Sequence, residues 1–524
     1  MSDASASLDT SKPRSGAGLR LSPLSGAMVL LLFLGALAMA FPIGLSRDYF
    51  NHLARNHIEA QIWADPDLQR HYALSFAVIP DLTMDLIIPW LSQLVGTWRA
   101  GALTILLALI LPVFGGLLVA REAHGRVTWL SLGGFLAAFN VGLEWGFVNY
   151  VASSGIALIG FAFWMRSQPG RARMVGFGLF GLFLALNHAL AFLLFGFLAL
   201  VWEIASYAEN ERGNRWAFLN SLLRNDLPAM VPGVALIGFA MMGASDLPRG
   251  TAEFFSLSQK AYGFSSGFYF FNPGIGFVAL VGTCGLAAWL LLKRYVQLPR
   301  KMAWVCCGLL VLNLLMPTSV MGIWGLHLRF TAPLVILFFA SARLSPEVPV
   351  MARRVVSFGL ASLMALVFLN GGMHMARQNA EANELRALFD ALPRGARLLA
   401  AYENGPSLDF PFVMHASGIA VIERSAYVPN LFTNTSPVDV APQNIHLHMP
   451  QSLPLSAEML REAAKKPSAF SANGFWSMGF ADNWPERWTH LVFFTGQPGD
   501  SLSGLPVCEK ARTGSAVLYR IGGC

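Results

Sequence analysis

The chain has 524 residues, of which 55% are hydrophobic and 13% are charged, and its net charge is +7. A soluble domain usually carries about 25% charged residues. The composition therefore excludes an ordinary soluble globule, a disordered scaffold and a coiled coil. It predicts an α-helical membrane protein that crosses the bilayer several times.

Apolar segments that approach the length of a membrane span recur through the first two thirds of the chain. A helix needs roughly 20 apolar residues to cross the hydrocarbon core. Segments 174–187 and 189–207 are separated because one continuous helix would bury Asn187 and His188 at mid-membrane. We predict eleven transmembrane helices, at about 24–45, 100–119, 128–146, 150–165, 174–187, 189–207, 227–245, 273–292, 302–316, 327–342 and 355–373.

The distribution of lysine and arginine predicts how these spans are oriented. We expect segment 76–96, which Pro80 and Pro89 interrupt, not to cross the membrane, because a full span would move the next basic loops outside. The segment is instead predicted to be buried beneath an outer loop or to be re-entrant. Most basic residues then fall in loops on the side of the N-terminal tail, residues 1–23. The positive-inside rule places that tail in the cytoplasm and the large first loop, residues 46–99, outside.

The composition becomes that of a soluble domain after Gly371 and Gly372. We predict an extracytoplasmic α/β domain over residues 374–524, entered through an amphipathic helix at 376–392. Cys508 and Cys524 can form a disulfide if this domain faces an oxidising compartment. Strand-like runs occur at 397–402, 418–422, 489–494 and 516–521, and a helix is predicted at 456–465.

The densest polar cluster directly follows the first predicted span. In a helix, Asp48, His52 and Arg55 share one face, with Asn51 beside them. A carboxylate, an imidazole and a guanidinium at the membrane surface are suited to acid/base chemistry on a phosphate-bearing lipid. A solvated, salt-bridged loop helix explains the same spacing, so both interpretations stay open.

A second acidic pair, Asp81 and Asp85, lies four residues apart in the otherwise apolar segment 76–96. Carboxylates in an apolar stretch are costly unless they face water or a cation. The pair is a candidate for metal binding or for positioning a base. It is equally a candidate for the first turn of a helix, where the helix dipole favours acids.

Further polar residues recur at the outer ends of the predicted spans, where together they could line an outward-facing cavity. Arg329 lies just inside a span and needs an anionic partner, for which a lipid phosphate and a carboxylate such as Glu144 are both candidates. The residues of this group are Glu144, Asn149, His188, His327 and Arg329.

The outer loop 246–272 adds Lys260, a candidate phosphate ligand, and Tyr262, whose ring suits a sugar or a membrane-interface belt. The sequence contains no Walker loop, dinucleotide-binding glycine motif or nucleophile elbow. It also lacks the basic, aromatic-rich stripe typical of nucleic-acid binding. We therefore expect any donor substrate to arrive from the membrane or from outside, and no nucleic-acid partner.

The order of these features resembles the GT-C superfamily of integral membrane glycosyltransferases. A first span leads into a long outer loop that opens with an acidic residue, many spans follow, and an outer α/β domain ends the chain. The local resemblance is confined mainly to Asp48-Tyr49-Phe50-Asn51-His52. The chain looks most similar to bacterial relatives of the dolichyl-phosphate-mannose-type and lipopolysaccharide-core transferases.

This resemblance implies transfer of a sugar from a polyprenyl-phosphate donor to an extracytoplasmic glycan, lipid or protein. Asp48 would be the general base, with His52 assisting. Asn51, Arg55, Asp81, Asp85, Glu144, Asn149, His188, Lys260, Tyr262, His327 and Arg329 would contact substrates. It also implies the bacterial inner membrane, with membrane lipids as partners and the C-terminal domain in the periplasm.

A cofactor does not follow from the resemblance with certainty. A divalent metal stays open, with Asp48, Asp81 and Asp85 as its candidate ligands, because the chain lacks two adjacent acids after the first span. Three other classes of protein also stay open: a lipid or solute transporter or flippase, a non-catalytic scaffold with the same architecture, and a membrane acyl- or phosphotransferase that uses His52 or His188.

Overall fold

The computed structural model describes residues 22–43, 47–75, 81–209, 215–243, 252–254, 257–268, 272–320, 323–403, 415–433, 437–449, 455–465, 479–495 and 502–524. Most of the predicted N-terminal tail, with Pro80, lies outside these residues. Within them the chain folds into a bundle of membrane-length helices, a first loop with its own helices, and a C-terminal α/β domain.

The helical bundle follows the predicted spans closely. Its helices are α1 Pro23–Ala40, α5 Thr97–His124, α6 Val141–Glu144, α7 Val148–Arg166, α8 Arg171–Asn187, α9 Ala189–Glu209, α10 Arg215–Ser221, α11 Leu227–Gly243, α12 Leu257–Ser265, α13 Pro273–Leu292, α14 Arg300–Leu315, α15 Thr331–Ser341 and α16 Val350–Phe389. Helices α2 Asp48–Gln61, α3 Pro66–His71 and α4 Thr83–Val95 form the first loop.

Among the described residues, seven helices are long and apolar enough to cross a membrane on their own. They are Pro23–Ala40, Thr97–His124, Val148–Arg166, Ala189–Glu209, Phe218–Met242, Pro273–Leu292 and Val350–Phe389. The other predicted spans coincide with shorter helices, among them α8 with 17 residues and α14 with 16. The chain is therefore a polytopic α-helical membrane protein, as the sequence predicts.

Helices α5 and α7 pack against each other at very short distance in the core of the bundle. A Cβ atom added at Gly115 of α5 would lie 2.8 Å from the carbonyl oxygen of Gly155 of α7. Small residues at such a contact let two membrane helices approach until their backbones touch. This contact fixes α7, which carries several residues of the site described below.

The C-terminal domain is built on a mixed sheet of five strands in the order β10-β11-β9-β6-β8. Strand β6 pairs in parallel with β8 and β9, whereas β11 pairs antiparallel with β9 and β10. The strands are β6 Leu398–Tyr402, β8 Leu455–Ser456, β9 His490–Phe494, β10 Val507–Arg512 and β11 Ala516–Ile521, with helices α17 Gly418–Arg424, α18 Ala457–Lys465 and α19 Trp484–Arg487. The predicted α/β fold is confirmed, and Cys508 is disulfide-bonded to Cys524.

The first loop and the C-terminal domain are joined into one structure. Strand β1 Tyr72–Leu74 pairs antiparallel with β7 Val438–Val440. Helix α17 packs on α2 so closely that a Cβ atom at Gly418 would lie 2.7 Å from the carbonyl oxygen of Phe50. Both regions therefore lie on the same face of the bundle. The remaining short strands, β2 Val296–Gln297 with β5 Arg343–Leu344 and β3 Ser319–Val320 with β4 Ile323–Trp324, form two-stranded ribbons.

Three local predictions were wrong. Segment 418–422 is the start of helix α17 and not a strand. The helix predicted at 376–392 is continuous with the last span, because α16 runs for 40 residues. Segment 128–146 contains a 3-10 helix, Leu130–Ala137, followed by the one-turn α6, and not one regular span.

Candidate active site

The candidate site lies where several bundle helices meet the first loop and the C-terminal domain. Helix α7 begins there, with Asn149 as its second residue, and the break between α8 and α9 brings Asn187 and His188 to the same end of the bundle. The predicted separation of those two helices is confirmed. Arg329 lies just before α15 and is held by the Tyr150 hydroxyl, which donates to its carbonyl oxygen at 2.6 Å.

Asp48 is fixed in place by the residues around the start of α2. Arg47 has φ of 53°, a backbone region that a non-glycine residue seldom adopts. Its guanidinium bonds to Glu144 at 3.2 Å and stacks over Trp145, 3.7 Å from the ring centre. The backbone N–H of Asp48 donates to the carbonyl oxygen of Trp145 at 3.2 Å. The backbone at Arg47 therefore presents the Asp48 side chain, 18% of which stays exposed.

The partner of Asp48 is His415, a residue that the sequence analysis did not single out. His415 Nε2 lies 3.4 Å from Asp48 Oδ1. The Asn51 amide is oriented by two bonds: its Nδ2 donates to the carbonyl oxygen of Asn430, and its Oδ1 accepts from the backbone N–H of Phe432, both at 2.8 Å.

The same Asn51 Nδ2 lies 3.3 Å from His415 Nδ1, so that nitrogen accepts and Nε2 carries the proton in the neutral ring. His415 thus places its Nε2–H beside the Asp48 carboxylate. A lone histidine in a segment with no other polar signal gives no indication of this role in the sequence.

His52 follows one turn of α2 after Asp48 and packs edge-on against Phe432, with 5.9 Å between ring centres. Burial lowers the pKa of His52 well below its ordinary value, and the positive charge of Arg55 lowers it further. The ring is therefore neutral at pH 7. Its Nδ1 is buried and makes no hydrogen bond within the described part of the chain.

Arg329 and His188 lie side by side in the candidate site. The backbone N–H of Leu190 donates to His188 Nδ1 at 3.1 Å, so Nε2 carries the hydrogen of the neutral ring. Arg329 Nη1 lies 3.3 Å from that Nε2. With this tautomer the two donors face each other, and an acceptor beside them, such as an anion, can accept a hydrogen bond from each.

The charges around Arg329 include two of the predicted carboxylates. Asp48 and Asp81 lie close enough for their charges to act on its guanidinium. The structure therefore brings together Asp48, Asn51, His52, Asp81, Asn149, His188 and Arg329.

Asp81 and Asp85 take different partners. Asp85 lies in the first turn of α4 and forms a buried ion pair with Arg55, at 2.9 Å, and a hydrogen bond with Asn56 at 3.0 Å. Asp81 accepts a hydrogen bond from Asn149 Nδ2 at 2.8 Å. Burial raises the pKa of Asp81 to about 7, and the neighbouring Asp85 contributes to that shift. Asp81 thus titrates near neutral pH, whereas Arg55 and Asp85 tie α2 to α4.

The other predicted residues lie beside this group. Glu144 pairs with Arg47, and the Tyr262 hydroxyl lies 3.5 Å from Trp145 Nε1, so both contribute to the wall behind Asp48. His327 lies near Tyr262, with 6.5 Å between ring centres. Lys260 donates to the carbonyl oxygens of Leu314 and Met316, the latter at 3.0 Å, and so caps the C-terminal end of α14.

The candidate metal ligands do not form a metal site by themselves. Within the described ranges, no three His, Cys, Asp or Glu side chains converge closely enough to hold an ion. The Asp85 carboxylate already accepts hydrogen bonds from Arg55 and Asn56, and the Asp48 carboxylate lies next to His415.

A membrane helix bundle that carries the first loop and a C-terminal α/β domain on one face is a fold that this chain shares with solved structures. The likeness is one of fold, as the resemblance seen in the sequence implies. The chain matches the crystal structure of ArnT from Cupriavidus metallidurans bound to undecaprenyl phosphate, with a TM-score of 0.52, 12% identity, and coverage of 96% of this chain and 98% of that one.

The apo structure of the same ArnT matches with a TM-score of 0.50 and 11% identity, over 96% of this chain and all of that one (100%). No protein-family model matches the chain, and no curated protein matches it by sequence.

Proposed function

We propose that the protein is a membrane glycosyltransferase that moves a sugar from a polyprenyl-phosphate donor to an extracytoplasmic glycan, lipid or protein acceptor. The observation that carries this proposal is the juxtaposition of a carboxylate with an anion-binding pair. Asp48 lies at one side of the site, and the facing donors of Arg329 and His188 lie at the other, with charge interaction between Asp48 and Arg329.

The anion-binding pair suits the phosphate of a lipid donor. A phosphate oxygen would accept from Arg329 Nη1 and from His188 Nε2–H. The solved structure of ArnT with undecaprenyl phosphate supports a lipid phosphate as the ligand, because it shares this fold. The prenyl chain would enter from the bilayer between helices, since the donors lie at the membrane ends of α8, α9 and α15.

Asp48 suits the role of general base. The carboxylate is partly exposed, and His415 and the turn at Arg47 fix its direction, so it can accept a proton from an acceptor hydroxyl within hydrogen-bonding distance. As that proton moves to Asp48, the acceptor oxygen forms a bond to the anomeric carbon and the bond from that carbon to the phosphate oxygen breaks. The electron pair stays on the phosphate, and inversion at the anomeric carbon follows from attack on the opposite face.

The leaving group is a polyprenyl phosphate whose negative charge increases in the transition state. Donors fixed before the reaction stabilise such charge most effectively, because they need no reorganisation. Arg329 and His188 have this role in the proposal. His52 Nδ1 and Asn149, which lie beside the carboxylate group, would orient sugar hydroxyls.

We further propose that the site faces the periplasm of a bacterium and that the N-terminus is cytoplasmic. The concentration of lysine and arginine in the loops of the opposite face supports this orientation. The disulfide between Cys508 and Cys524 is also expected in an oxidising compartment. Residues 374–524 would then cover the site from the periplasmic side.

The proposal is tested by donor consumption in detergent, where no gradient can exist. The purified protein is incubated with a panel of polyprenyl-phosphate hexoses and pentoses and with cell-envelope acceptor, and released polyprenyl phosphate is measured by mass spectrometry. We expect release with at least one donor, dependent on acceptor. If all donors stay intact in detergent while the protein moves them across reconstituted vesicles, it is a flippase and the proposal is wrong.

A further inference from the structure

A second polar cluster lies at the opposite end of the bundle from the candidate active site. Helix α7 joins the two: Asn149 is in its first turn, at the site, and Trp164 is near its far end. Arg173 at the start of α8, Glu203 near the end of α9, and Asp226 just before α11 surround Trp164 at that end. The proposed reaction makes no use of this cluster.

The cluster holds one cation and two carboxylates. Arg173 stacks over the Trp164 ring at 3.6 Å and donates to Glu203, and Trp164 Nε1 donates to the same Glu203 oxygen at 2.9 Å. Arg173 lies 3.7 Å from Asp226 Oδ1, which is beyond hydrogen-bonding distance. Asp226 Oδ1 is buried and makes no hydrogen bond within the described residues, and only 6% of the side chain is exposed.

A cavity of about 210 Å³ borders these two carboxylates, and the rest of its lining is almost wholly apolar. Glu203 and Asp226 contribute its polar wall, whereas Phe192, Leu200 and Met230 belong to its apolar wall. Leu200, which is 41% exposed, opens it towards the lipid-facing surface of α9 and α11. The cavity therefore has the two halves of a lipid site, an apolar trough and a polar end.

The charge at the polar end defines the ligand. Two carboxylates against one guanidinium leave a net negative charge if all three are ionised, and an unpaired charge in a membrane-buried site is expensive. The missing partner is therefore a donor of positive charge with N–H groups, attached to an apolar chain. The short π-helix Leu222–Asp226 places Asp226 at this wall, and such segments often occur at functional sites.

We propose that this cavity binds the primary-ammonium headgroup of phosphatidylethanolamine, with an acyl chain along the apolar wall. The ammonium group donates to Asp226 Oδ1 and to Glu203, which neutralises the cluster. Arg171 and Arg224 lie at the same end of the bundle, as the first residue of α8 and two residues before Asp226, and suit the headgroup phosphate. This inference does not depend on the proposed glycosyltransferase activity.

The test is a lipid competition on the full-length protein. The delipidated protein is titrated in detergent with phosphatidylethanolamine, phosphatidylcholine and phosphatidylglycerol, and bound lipids are counted by native mass spectrometry. Phosphatidylcholine carries the same charge without N–H donors. We expect about tenfold tighter binding of phosphatidylethanolamine than of phosphatidylcholine, which is the size of one charge-assisted hydrogen bond.

Asp226→Asn is the decisive variant, and Glu209→Gln is its control, because Glu209 ends α9 at the same face but pairs with Lys301 outside the cavity. Asp226→Asn should lose the preference, and Glu209→Gln should keep it. A preference retained in Asp226→Asn would overturn the inference, and so would equal binding of the two zwitterionic lipids or tighter binding of phosphatidylglycerol. If Asp226→Asn does not fold, the inference is tested by the comparison of lipids on the native chain alone.

Discussion

The Nε2 atom of His415 lies 3.4 Å from the Oδ1 atom of Asp48, although one residue belongs to the C-terminal domain and the other opens the first loop. The pairing of β1 with β7 and the contact of Gly418 with Phe50 hold these two regions together. Docking of the C-terminal domain is therefore part of how the proposed base is positioned.

Replacement of His415 tests this positioning role. His415→Ala removes the N–H beside Asp48 and should lower kcat about 10- to 100-fold, because small misplacements of a reacting group are costly. KM for the donor should stay nearly unchanged. His415→Gln supplies an N–H donor of similar reach and should recover part of kcat. A rise in KM with unchanged kcat would show instead that His415 contacts substrate.

Arg329 should determine binding of the lipid phosphate. Arg329→Gln removes the charge but keeps an N–H donor, and we expect affinity for polyprenyl phosphate to fall roughly 10- to 100-fold, as for a lost charge-assisted hydrogen bond. Arg329→Lys should lose less. Lys260→Gln is the matched comparison, since Lys260 caps α14, and it should leave this affinity within about twofold of the native value. Equal losses for the two glutamine variants would contradict the assignment.

The pair Arg55–Asp85 should contribute to stability and not to catalysis directly. Both side chains are 1% exposed, so Arg55→Met leaves a buried carboxylate without its ion-pair partner. Loss of one partner of a buried pair costs about 3–5 kcal/mol of unfolding free energy. Thermal unfolding in detergent should show a clear drop in Tm. Arg377→Met breaks a pair whose arginine is 75% exposed, and it should cost about 0–1 kcal/mol.

The disulfide offers a test of orientation. Cys508 and Cys524 are 16 residues apart, and closure of a loop of this size stabilises a domain by about 3 kcal/mol. The double serine variant should therefore lower the stability of the C-terminal domain. In a background without Cys284, Cys306 and Cys307, an impermeant maleimide applied to spheroplasts should label the native pair only after external reduction. Labelling only after lysis would contradict a periplasmic domain, whereas external labelling without reduction would contradict the disulfide.

Hydropathy and charge in the sequence predicted the positions of most spans, because the bilayer sets a span length that can be recognised in each segment alone. The break at Asn187 and His188 was predictable for the same reason, as was the polar start of α2. Segment 418–422 was predicted as a strand because so short an apolar run shows no periodicity that distinguishes a strand from a helix. Its packing against α2 determines that it is helical. His415 was missed because its role arises only from tertiary contact with Asp48.

The sequence also did not predict which charged residues pair with each other. Spacing along α2 suggested that Arg55 belongs to the same functional face as Asp48, yet the fold directs Arg55 to Asp85. Arg329 was expected to need an anion, with Glu144 as one candidate. In the structure Glu144 forms an ion pair with Arg47, and Arg329 lies beside His188.

The most direct test of the account is turnover by Asp48→Asn, measured as release of polyprenyl phosphate in detergent. Asparagine keeps the shape of the side chain but cannot accept the proton, so we expect a loss of about 10²- to 10⁴-fold in kcat, with native binding of polyprenyl phosphate and native Tm. Asp390→Asn, at a carboxylate that is 75% exposed, is the control and should turn over normally. Turnover by Asp48→Asn at the native rate would contradict the assignment of Asp48 as the base.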